Sequence, residues 1–481
     1  MNTWILVAGW LAIVGVYQSF KPVPQCMNYD GQVYHVNEHD VEFLSDVTYV
    51  DSSGVQHYDH EIYDAVVTIV DSAQKYILID MFLLNTYRGP LGTSVRDISE
   101  EFAALLIDKK QHNPDIKIDL ITDPVNIFYG GTKSKIFNDM SAAGINITIT
   151  DLKKLRDNSY LYSPFWRTFF QWLGNSDEYG AFPHIFDKTA PRTTARSYLA
   201  LLNMKANHRK VIVADRGEQV VSVVTSWNIH SASSSFSNVA ILVRGDIWED
   251  LYRVENEIAE FSDGSLTYEI GDLQLDSSQT VPDGVTAQVL SEKGIRNELL
   301  ILFDRTVAGD TISIAMFYLT NNKIIKSLIR ASKRGAEVRL ILDPNKDGFG
   351  FKRRGVPNRP VAHRLVKKSK EKIKVRWYLT HGEQFHTKFS MVKYKNGEAA
   401  VILGSANLTR KQLSAFNLEL NIHIAMHEST AVYQEIAAYY DRLWYNQDNY
   451  IYTVDYDEFK SGSIFKKFSY RLQELTGSAV F

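Results

Sequence analysis

The alternation of apolar and polar residues predicts two similar series of strands and helices. Continuous apolar runs occur at residues 76–84 and 311–319, and both carry Met-Phe at the same place. Such runs, rich in β-branched residues, are typical of buried strands. Amphipathic helical patterns precede them at residues 61–73 and 294–307. The chain therefore contains an internal repeat whose unit begins with a helix and a buried strand.

Further elements of the repeat follow in the same order in both copies. A second predicted strand ends in Asp-Pro each time, at residues 116–124 and 337–344. Strands that alternate with helices indicate βαβ units and a largely parallel sheet. We therefore predict an α/β fold of two duplicated halves, each a mixed, mostly parallel sheet flanked by helices, that form one pseudo-twofold unit.

Each copy closes with a predicted β-hairpin. In the first, residues 208–215 and 219–226 flank a turn that contains Gly217, and in the second, residues 386–394 and 399–405 flank a turn that contains Gly397. Glycine supplies the positive φ that tight hairpin turns require.

The predicted organisation has five parts. They are an N-terminal membrane anchor or signal at 1–25, a first half at 40–245 with an insertion at 150–200, a connector at 246–284, a second half at 285–450 and a C-terminal tail at 451–481.

The N-terminal segment from Trp4 to Phe20 contains no charged residue. A membrane-spanning helix needs roughly 17 to 25 apolar residues. No basic residue precedes Trp4, and a cleavable signal normally begins with one. We therefore favour an uncleaved single-pass anchor in the cell membrane, with the catalytic part on the extracytoplasmic side. The alternatives are a cleaved signal and a buried helix of the folded protein.

Two other segments contain apolar side chains that predict either a core or a membrane contact. Aromatic residues crowd the insertion between Tyr160 and Leu173, where Pro164 can begin a helix. Residues 464–472 form a possible basic amphipathic helix. Each segment either packs against the body of the protein or lies in a membrane interface.

Composition and bulk charge select no class of partner. Apolar residues make up 45% of the chain, charged residues 23%, and the formal net charge is -3. The single cysteine, Cys26, allows no intrachain disulfide. Residues 346–376 are locally basic, with Asp347 and Glu371 as their only acids. This segment fits a nucleic-acid backbone, anionic lipid head groups or ordinary solvated surface.

The residues that carry chemistry recur in both copies. Alternate residues of a strand share a face, so His208 and Lys210 lie side by side, as do His386 and Lys388. At the end of the next strand a Ser and an Asn follow at the same spacing, and a further Asn follows ten residues later. These residues are Ser226, Asn228 and Asn238 in the first copy, and Ser405, Asn407 and Asn417 in the second.

These residue types suit the cleavage of a phosphodiester. Lys ammonium and Asn amide groups can stabilise charge on the non-bridging oxygens. One neutral His can attack phosphorus, and a second, protonated His can give a proton to the leaving oxygen. Each copy supplies one His, so a complete site requires both.

The repeated motif resembles the signature of the phospholipase D superfamily, H-x-K-x4-D followed by Gly/Ser-x-Asn. The first copy ends at Asp215 and has Thr225 where Gly is usual, whereas the second has Lys393 in place of the Asp. The resemblance covers residues 60–445 and implies two catalytic His and no metal or other cofactor. We interpret Asp215 as a supporting salt-bridge partner, whose loss in the second copy affects stability rather than chemistry.

The resemblance also suggests roles for the two His residues. The family often places a carboxylate where Glu419 begins the strand after the second motif. We expect Glu419 to orient His386 and to raise the pKa of His386, and Asn238 to leave His208 neutral. His208 is then the nucleophile and His386 the general acid and base.

Three functions fit this sequence. The first is a phosphodiesterase or phosphatidyltransferase that acts on membrane phospholipids, by hydrolysis or by transfer to an alcohol as in cardiolipin synthesis. The second is a nuclease of the same superfamily that uses the basic segment as its binding track, and the third is a catalytically inactive scaffold. We favour the phospholipid enzyme; the sequence leaves its oligomeric state open.

Overall fold

The computed structural model describes residues 3–24, 26–87, 95–269, 284–348 and 351–476. Residues 270–283 of the predicted connector, residues 349–350 of the basic segment and residues 477–481 of the predicted tail lie outside the described residues. The strands are β1 Asp30–Val36, β2 Val41–Asp46, β3 Thr48–Val50, β4 Gln56–Tyr58, β5 Tyr76–Met81, β6 Leu84–Asn85, β7 Lys117–Thr122, β8 Asn146–Ile149, β9 Lys210–Arg216, β10 Gln219–Thr225, β11 Ile229–His230, β12 Asn238–Arg244, β13 Val285–Ser291, β14 Thr311–Met316, β15 Glu337–Leu342, β16 Asp347–Gly348, β17 Phe351–Lys352, β18 Ile373–Tyr378, β19 Lys388–Lys393, β20 Glu398–Gly404, β21 Leu420–His427 and β22 Thr453–Asp455. The helices are α1 Thr3–Phe20, α2 Glu61–Ser72, α3 Ile98–His112, α4 Lys135–Ala142, α5 Ser163–Phe169, α6 Ala195–Leu201, α7 Trp248–Phe261, α8 Glu292–Arg305, α9 Asn322–Arg334, α10 Asn358–Ser369, α11 Ala431–Tyr445, α12 Tyr456–Phe459 and α13 Ile464–Thr476.

Two large sheets share one strand order. The first runs β2-β12-β10-β9-β5-β7-β8, and the second runs β1-β13-β21-β20-β19-β14-β15-β18-β22. The seven strands from β13 to β18 correspond one to one with the first sheet, and β1 and β22 add an edge strand on each side. The predicted fold of two similar mixed sheets flanked by helices is confirmed.

The balance of strand directions differs from the prediction. Within the described residues, β5–β7 and β7–β8 are the parallel pairs of the first sheet, and β14–β15 and β15–β18 are those of the second. The other pairings in both sheets are antiparallel. The expectation of mostly parallel sheets was therefore wrong. Antiparallel pairings, which come from the two hairpins and the strands next to them, outnumber the parallel pairings that the βαβ crossovers produce.

The sheets pack face to face around one central core, which includes Val213 of β9, Ile241 of β12 and Val401 of β20. The outer face of the first sheet is covered by α2, α3 and α4, and the outer face of the second by α8, α9 and α10. Alternate residues of β9 point into different layers, since Val213 belongs to the central core and Ile212 to the outer one. This period of two fixes which side chains face the partner sheet.

The predicted connector contains a buried helix. Leu251, Val254 and Ile258 of α7 pack into the central core at helical spacing. The acidic residues that suggested a linker, such as Glu249 and Glu260, lie on the same helix. An amphipathic helix with an acidic outer face explains both observations.

Helix α1 has 18 residues and is long and apolar enough to cross a membrane, and 6% of it is buried. Among the described residues it is the one helix that meets these criteria. The apolar N-terminal helix expected from the sequence is thus present, and it is compatible with a membrane anchor or a signal.

Candidate active site

The two His-Lys pairs occupy equivalent positions at the start of two hairpins. Lys210 and Lys388 are the first residues of β9 and β19, so each His lies two residues earlier. Each Lys Nζ donates a hydrogen bond of 2.6 Å to the carbonyl of its own His. The turns at the far ends contain Gly217 at φ 65° and Gly397 at φ 91°, as the hairpin prediction requires.

Backbone contacts join each motif to the other half of the chain. His208 N donates to Leu418 O at 2.9 Å, and Leu418 N donates to Ala206 O at 3.0 Å. On the other side of the site, Ser237 N donates to Gln384 O at 3.2 Å. The segments that carry His208 and His386 therefore both lie where the two halves meet.

The partners of the two His side chains are crossed between the halves. His208 Nδ1 lies 2.9 Å from Glu419 Oε2, and His386 Nδ1 lies 3.1 Å from Asn238 Oδ1. The expectation that Glu419 orients His386 was wrong. Glu419 of the second half and Asn238 of the first both lie where the two halves meet. At that boundary each of them contacts the His of the opposite half.

Two serines hold these partners in the same way. Ser405 Oγ donates to Glu419 Oε2 at 2.6 Å, and Ser226 Oγ donates to Asn238 Oδ1 at 3.1 Å. Asn238 is thus the structural counterpart of Glu419, and one His has an acidic partner where the other has a neutral one. Because both partner oxygens accept, each His carries its proton on Nδ1 and directs Nε2 away from the partner.

Burial and positive charge lower the pKa values of both His residues. Burial, then Lys210, Lys388 and Lys411, hold the pKa of His208 well below its usual range. Burial, then Lys388, Lys210 and His208, do the same to the pKa of His386. The expected raised pKa of His386 is contradicted, because burial and the charges of Lys388 and Lys210 lower it and Asn238 supplies no opposing charge. This mutual influence agrees with the crossed hydrogen bonds, which bring both pairs to the boundary between the two halves.

The lysines of the pocket are also perturbed. Burial lowers the pKa of Lys210 to about 7, and the carboxylates of Glu419, Asp80 and Asp123 oppose that effect. Burial and then Lys210 lower the pKa of Lys388 well below its usual value. Burial raises the pKa of Glu419 to about 7 against the attraction of Lys210. An anionic ligand would offset the cost of burying these ammonium groups, so the lysines favour the binding of an anion.

The two motif asparagines are buried beside the His-Lys pairs. Asn407 Oδ1 accepts from Tyr318 N at 3.1 Å, which fixes the amide of Asn407. Asn228 Oδ1 is buried without a hydrogen-bond partner in the described part of the chain. Asn417 lies on the other side of Glu419: it accepts from Ala206 N at 3.2 Å and helps to lower the pKa of Glu419.

Asp215 accepts backbone hydrogen bonds and, within the described residues, forms no salt bridge. Its carboxylate accepts from Gln74 N at 3.0 Å, Lys75 N at 2.8 Å and Tyr76 N at 2.7 Å. It therefore caps the start of β5, and the expected salt bridge was wrong. In the second half Asp310 has a comparable role. It accepts hydrogen bonds from Val307 N at 2.7 Å and from Lys395 N at 2.8 Å.

Sequence reasoning missed two buried aspartates that position the motifs. Asp123 Oδ2 accepts from Asn207 N at 2.7 Å, and Asp343 Oδ2 accepts from Phe385 N at 2.8 Å. Each therefore holds the residue just before a catalytic His. Burial raises the pKa values of both aspartates to about 7. The repeated Asp-Pro at the end of the second strand was the signal that marked them.

Three more residues of the pocket were not identified from the sequence. Phe82 and Phe317, the aromatic residues of the repeated Met-Phe, lie 5.1 and 5.5 Å from the Nζ of Lys210 and Lys388. Lys411 is a third buried lysine, whose pKa burial lowers to about 8 while Glu419 opposes the shift. It has no counterpart in the first copy of the motif, so the repeat gave no signal for it.

The middle residue of the first motif joins three parts of the chain. Arg209 is fully buried, 3.3 Å from Glu255 Oε2 on α7 and 3.7 Å from Glu292 Oε1 at the start of α8. Glu292 Oε1 also accepts from Glu419 N at 2.9 Å. This network connects the backbone of the first motif with the carboxylate that contacts His208.

The described residues contain no group of three or more His, Cys, Asp and Glu side chains placed to hold a metal ion. The pocket contains two imidazoles, three lysines and two amides, and the carboxylate of Glu419 is hydrogen-bonded to one of the imidazoles, that of His208. This set can bind a phosphate group, attack phosphorus and transfer protons.

Comparison with known proteins places the second half in a family. Residues 305–444 match the family model described as cardiolipin synthase, PLD-like domain. The whole chain matches the fold of phosphatidylserine synthase from Haemophilus influenzae Rd KW20, with a TM-score of 0.57, 10% identity and 100% coverage of both chains. The phospholipase D family member Nuc from Salmonella typhimurium aligns with 37% of this chain and 98% of its own, at 21% identity and a TM-score of 0.27. No protein with a curated description shows significant similarity. The family match bears out, for residues 305–444, the resemblance that the repeated motif indicated, and the solved structure shows that the fold is shared over the whole chain.

Proposed function

We propose that this chain is a phospholipid phosphodiesterase or phosphatidyltransferase of the phospholipase D superfamily, an assignment supported by the repeated motif and by the family match of residues 305–444. The single observation that carries this proposal is the pair of crossed hydrogen bonds, His208 to Glu419 and His386 to Asn238, which brings both buried His-Lys pairs to the boundary between the two halves. Neither a metal nor another cofactor is needed for the chemistry described below.

The proposed nucleophile is His208. Glu419 accepts a hydrogen bond from the Nδ1–H of His208, which leaves the lone pair on His208 Nε2 free to attack phosphorus. The same carboxylate stabilises the positive imidazole of a phosphohistidine intermediate, as a carboxylate does for an imidazolium. The nucleophile assigned from the sequence is therefore kept, for a reason opposite to the original one.

The proposed general acid and base is His386. As His208 Nε2 forms its bond to phosphorus, the bond from phosphorus to the head-group oxygen breaks and His386 gives that oxygen a proton. In the second step His386 takes a proton from water or an alcohol, whose oxygen attacks phosphorus and releases His208. Bound phosphate raises the pKa of His386 by offsetting the charge of Lys388 and Lys210, which lets His386 hold its proton.

Lys210, Lys388, Asn228 and Asn407 are proposed to bind the non-bridging oxygens. Their donors lie around the His pair and supply stabilisation that needs no rearrangement during the reaction. Asp215, Ser226, Asn238, Ser405, Asn417 and Glu419 support them, through the contacts described above.

A phospholipid is favoured as substrate over nucleic acid by an apolar cavity beside the catalytic segment. The cavity has a volume of about 390 Å³ and is lined by apolar residues such as Trp166, Phe170 and Leu199 and by the basic residues Lys153, Arg196 and Lys205. A lining that combines apolar and basic side chains fits an acyl chain together with its phosphate. The membrane location and the extracytoplasmic side of the catalytic part remain predictions.

The test uses the purified full chain in phosphatidylglycerol and phosphatidylcholine vesicles, and separately with single-stranded DNA. Phosphatidic acid or cardiolipin that disappears in His208→Ala supports the proposal, and mass spectrometry of the acid-quenched enzyme should find a phosphatidyl adduct on His208. DNA cleavage that depends on His208, with lipid untouched, replaces the lipid enzyme by the nuclease. If the folded protein is inactive on both substrates, the result contradicts the enzyme and favours the catalytically inactive scaffold.

A further inference from the structure

We propose that α1, the insertion and α13 form one membrane-facing surface beside the catalytic pocket, which rests on an anionic phospholipid leaflet. The surface is defined by the exposed apolar residues of α1 together with Leu161, Phe165, Phe169, Trp172, Leu173, Ile464, Phe465, Phe468, Leu472 and Leu475. This inference rests on the proposed function, since it concerns how a phospholipid reaches the same site.

The first observation is that α1 is attached directly to the insertion. A Cβ on Gly15 would lie 2.9 Å from Pro164 Cγ, so the two helices touch where α1 has no side chain. Ser19 Oγ donates to Asp157 O at 3.3 Å, and Asp157 N donates to Gln18 O at 3.0 Å. Helix α1 therefore holds the insertion at a fixed position relative to any bilayer that it enters.

The position of this contact sets the depth of the insertion. Gly15 lies five residues before the end of α1 at Phe20, which corresponds to about 8 Å of helix. Interfacial helices bury their apolar faces about 5–10 Å below the head groups. The insertion thus lies at the depth where aromatic residues such as Phe165 and Trp172, which are 43% and 76% exposed, are favoured.

The third element, α13, reaches the same place through Arg410. One guanidinium nitrogen of Arg410 donates to Glu474 O on α13 at 3.0 Å, and the other donates to the Tyr160 hydroxyl. The carbonyl of Tyr160 lies 4.0 Å from the Cβ position of Gly15. Tyr160 therefore touches α1 with its backbone and links to α13 with its side chain.

Helix α13 carries an exposed apolar stripe next to basic residues. Ile464, Phe468, Leu472 and Leu475 recur at helical spacing and are exposed, while Tyr470 is buried against the body of the protein. Lys460 and Lys467 from this region and Lys367 of α10 lie close enough to His363 to lower its pKa, after the effect of burial. An apolar stripe flanked by positive charge matches the surface of an anionic leaflet.

The membrane-facing surface is connected to the catalytic pocket through the consecutive residues Arg410 and Lys411. Lys411, the residue after Arg410, donates to Met204 O at 3.2 Å and is electrostatically coupled to Glu419. Met204 is four residues before His208 in the chain. The segment that contacts α13 through Arg410 is therefore the one that contributes Lys411 beside Glu419.

Site-directed fluorescence tests the surface without depending on activity. Trp172→Cys, Phe468→Cys and the control Glu218→Cys are each labelled with an environment-sensitive dye in the full chain; Cys26 is buried and does not compete. Glu218 lies in the exposed turn at the end of β9 that is remote from His208. The proteins are reconstituted into phosphatidylcholine vesicles that contain phosphatidylglycerol and nitroxide-labelled acyl chains.

We expect quenching at positions 172 and 468 and none at 218. Quenching at neither of the two positions, or at only one, overturns a single membrane-facing surface. Lipid turnover measured on the same vesicles, with His208 intact, separates the two proposals: quenching without any lipid turnover would overturn the proposed function and leave the surface intact, and turnover without quenching would do the reverse.

Activity gives a second readout. Phe465→Ser combined with Phe468→Ser should lower the rate on vesicle phospholipid by about tenfold at limiting lipid. The rate on a monomeric short-chain phospholipid should not change. Val307→Ser, an exposed apolar residue at the hairpin end of the second half, is the matched control. Equal loss on both substrates would contradict a role in membrane contact.

Discussion

His208 Nδ1 lies 2.9 Å from Glu419 Oε2, although 211 residues separate them along the chain and they belong to different halves. The matching bond from His386 Nδ1 to Asn238 Oδ1 crosses in the opposite direction. Each His is therefore oriented by the half that does not contain it. The two bonds are alike in geometry and differ in charge, which makes their roles separable by mutation.

Glu419→Gln should reduce kcat by about 10²- to 10⁴-fold with little change in KM, because the amide can turn its NH₂ group toward His208 and favour the wrong tautomer. Steady-state kinetics on vesicle phospholipid measures this loss. Ser405→Ala, which removes one hydrogen bond to Glu419, is the milder comparison. Near-normal kcat in Glu419→Gln would contradict the role of the carboxylate at His208.

Asn238→Asp should extend activity to higher pH. A carboxylate at this place stabilises the protonated form of His386, so the pKa of His386 rises by about one to three units. Because His386 must be protonated to act as the general acid, the basic limb of the pH–rate profile moves upward. Asn238→Ala removes the hydrogen bond without adding charge and should give no upward shift; an unmoved limb in Asn238→Asp would argue against His386 as the acid.

Asp215→Ala should destabilise the fold and leave the chemistry nearly intact. The carboxylate is buried and accepts three backbone N–H groups at the start of β5, so its loss should cost about 3 kcal/mol of unfolding free energy. Urea unfolding measures this cost. Lys393→Ala, at the equivalent position of the second half, breaks a partly exposed pair with Glu428 and should cost less than about 1 kcal/mol. Equal costs would show that Asp215 does not cap β5.

Binding of a phosphate analogue such as tungstate should take up protons. The pKa values of Lys210 and Lys411 are lowered to about 7 and about 8, mainly by burial. An oxyanion raises these pKa values, so protons bind with it, and affinity should fall as pH rises through this range. Titration calorimetry in two buffers of different ionisation enthalpy measures the uptake. Identical heats in both buffers would be incompatible with this coupling.

The sequence predicted well what depends on short-range order. The period of two placed His208 beside Lys210, the paired glycines located both hairpin turns, and Asp-Pro marked the ends of β7 and β15. These features involve neighbours within a few residues, where steric and hydrogen-bonding preferences of the chain decide the outcome.

The sequence failed where the partner lies on the other half. Spacing suggested that Glu419 serves the His of its own motif, yet the packing of the two sheets brings the opposite His closer. Asp215 was predicted to have a charged partner because the motif reveals a carboxylate but not its surroundings. The backbone N–H groups at the start of β5, which donate to this carboxylate, cannot be identified from the motif. Periodicity describes which face a residue occupies and carries no information about which distant segment covers that face.

Strand β1 precedes the first sheet in the chain yet pairs with β13 at the edge of the second. A fragment that begins after the connector would therefore leave the apolar strand β13, with Val285, Ala287 and Val289, as an open edge. Open apolar edges join edge to edge with other copies and aggregate. Recombinant production of the second half for crystallography or screening would thus require residues 30–36 to be supplied as a fused or added strand.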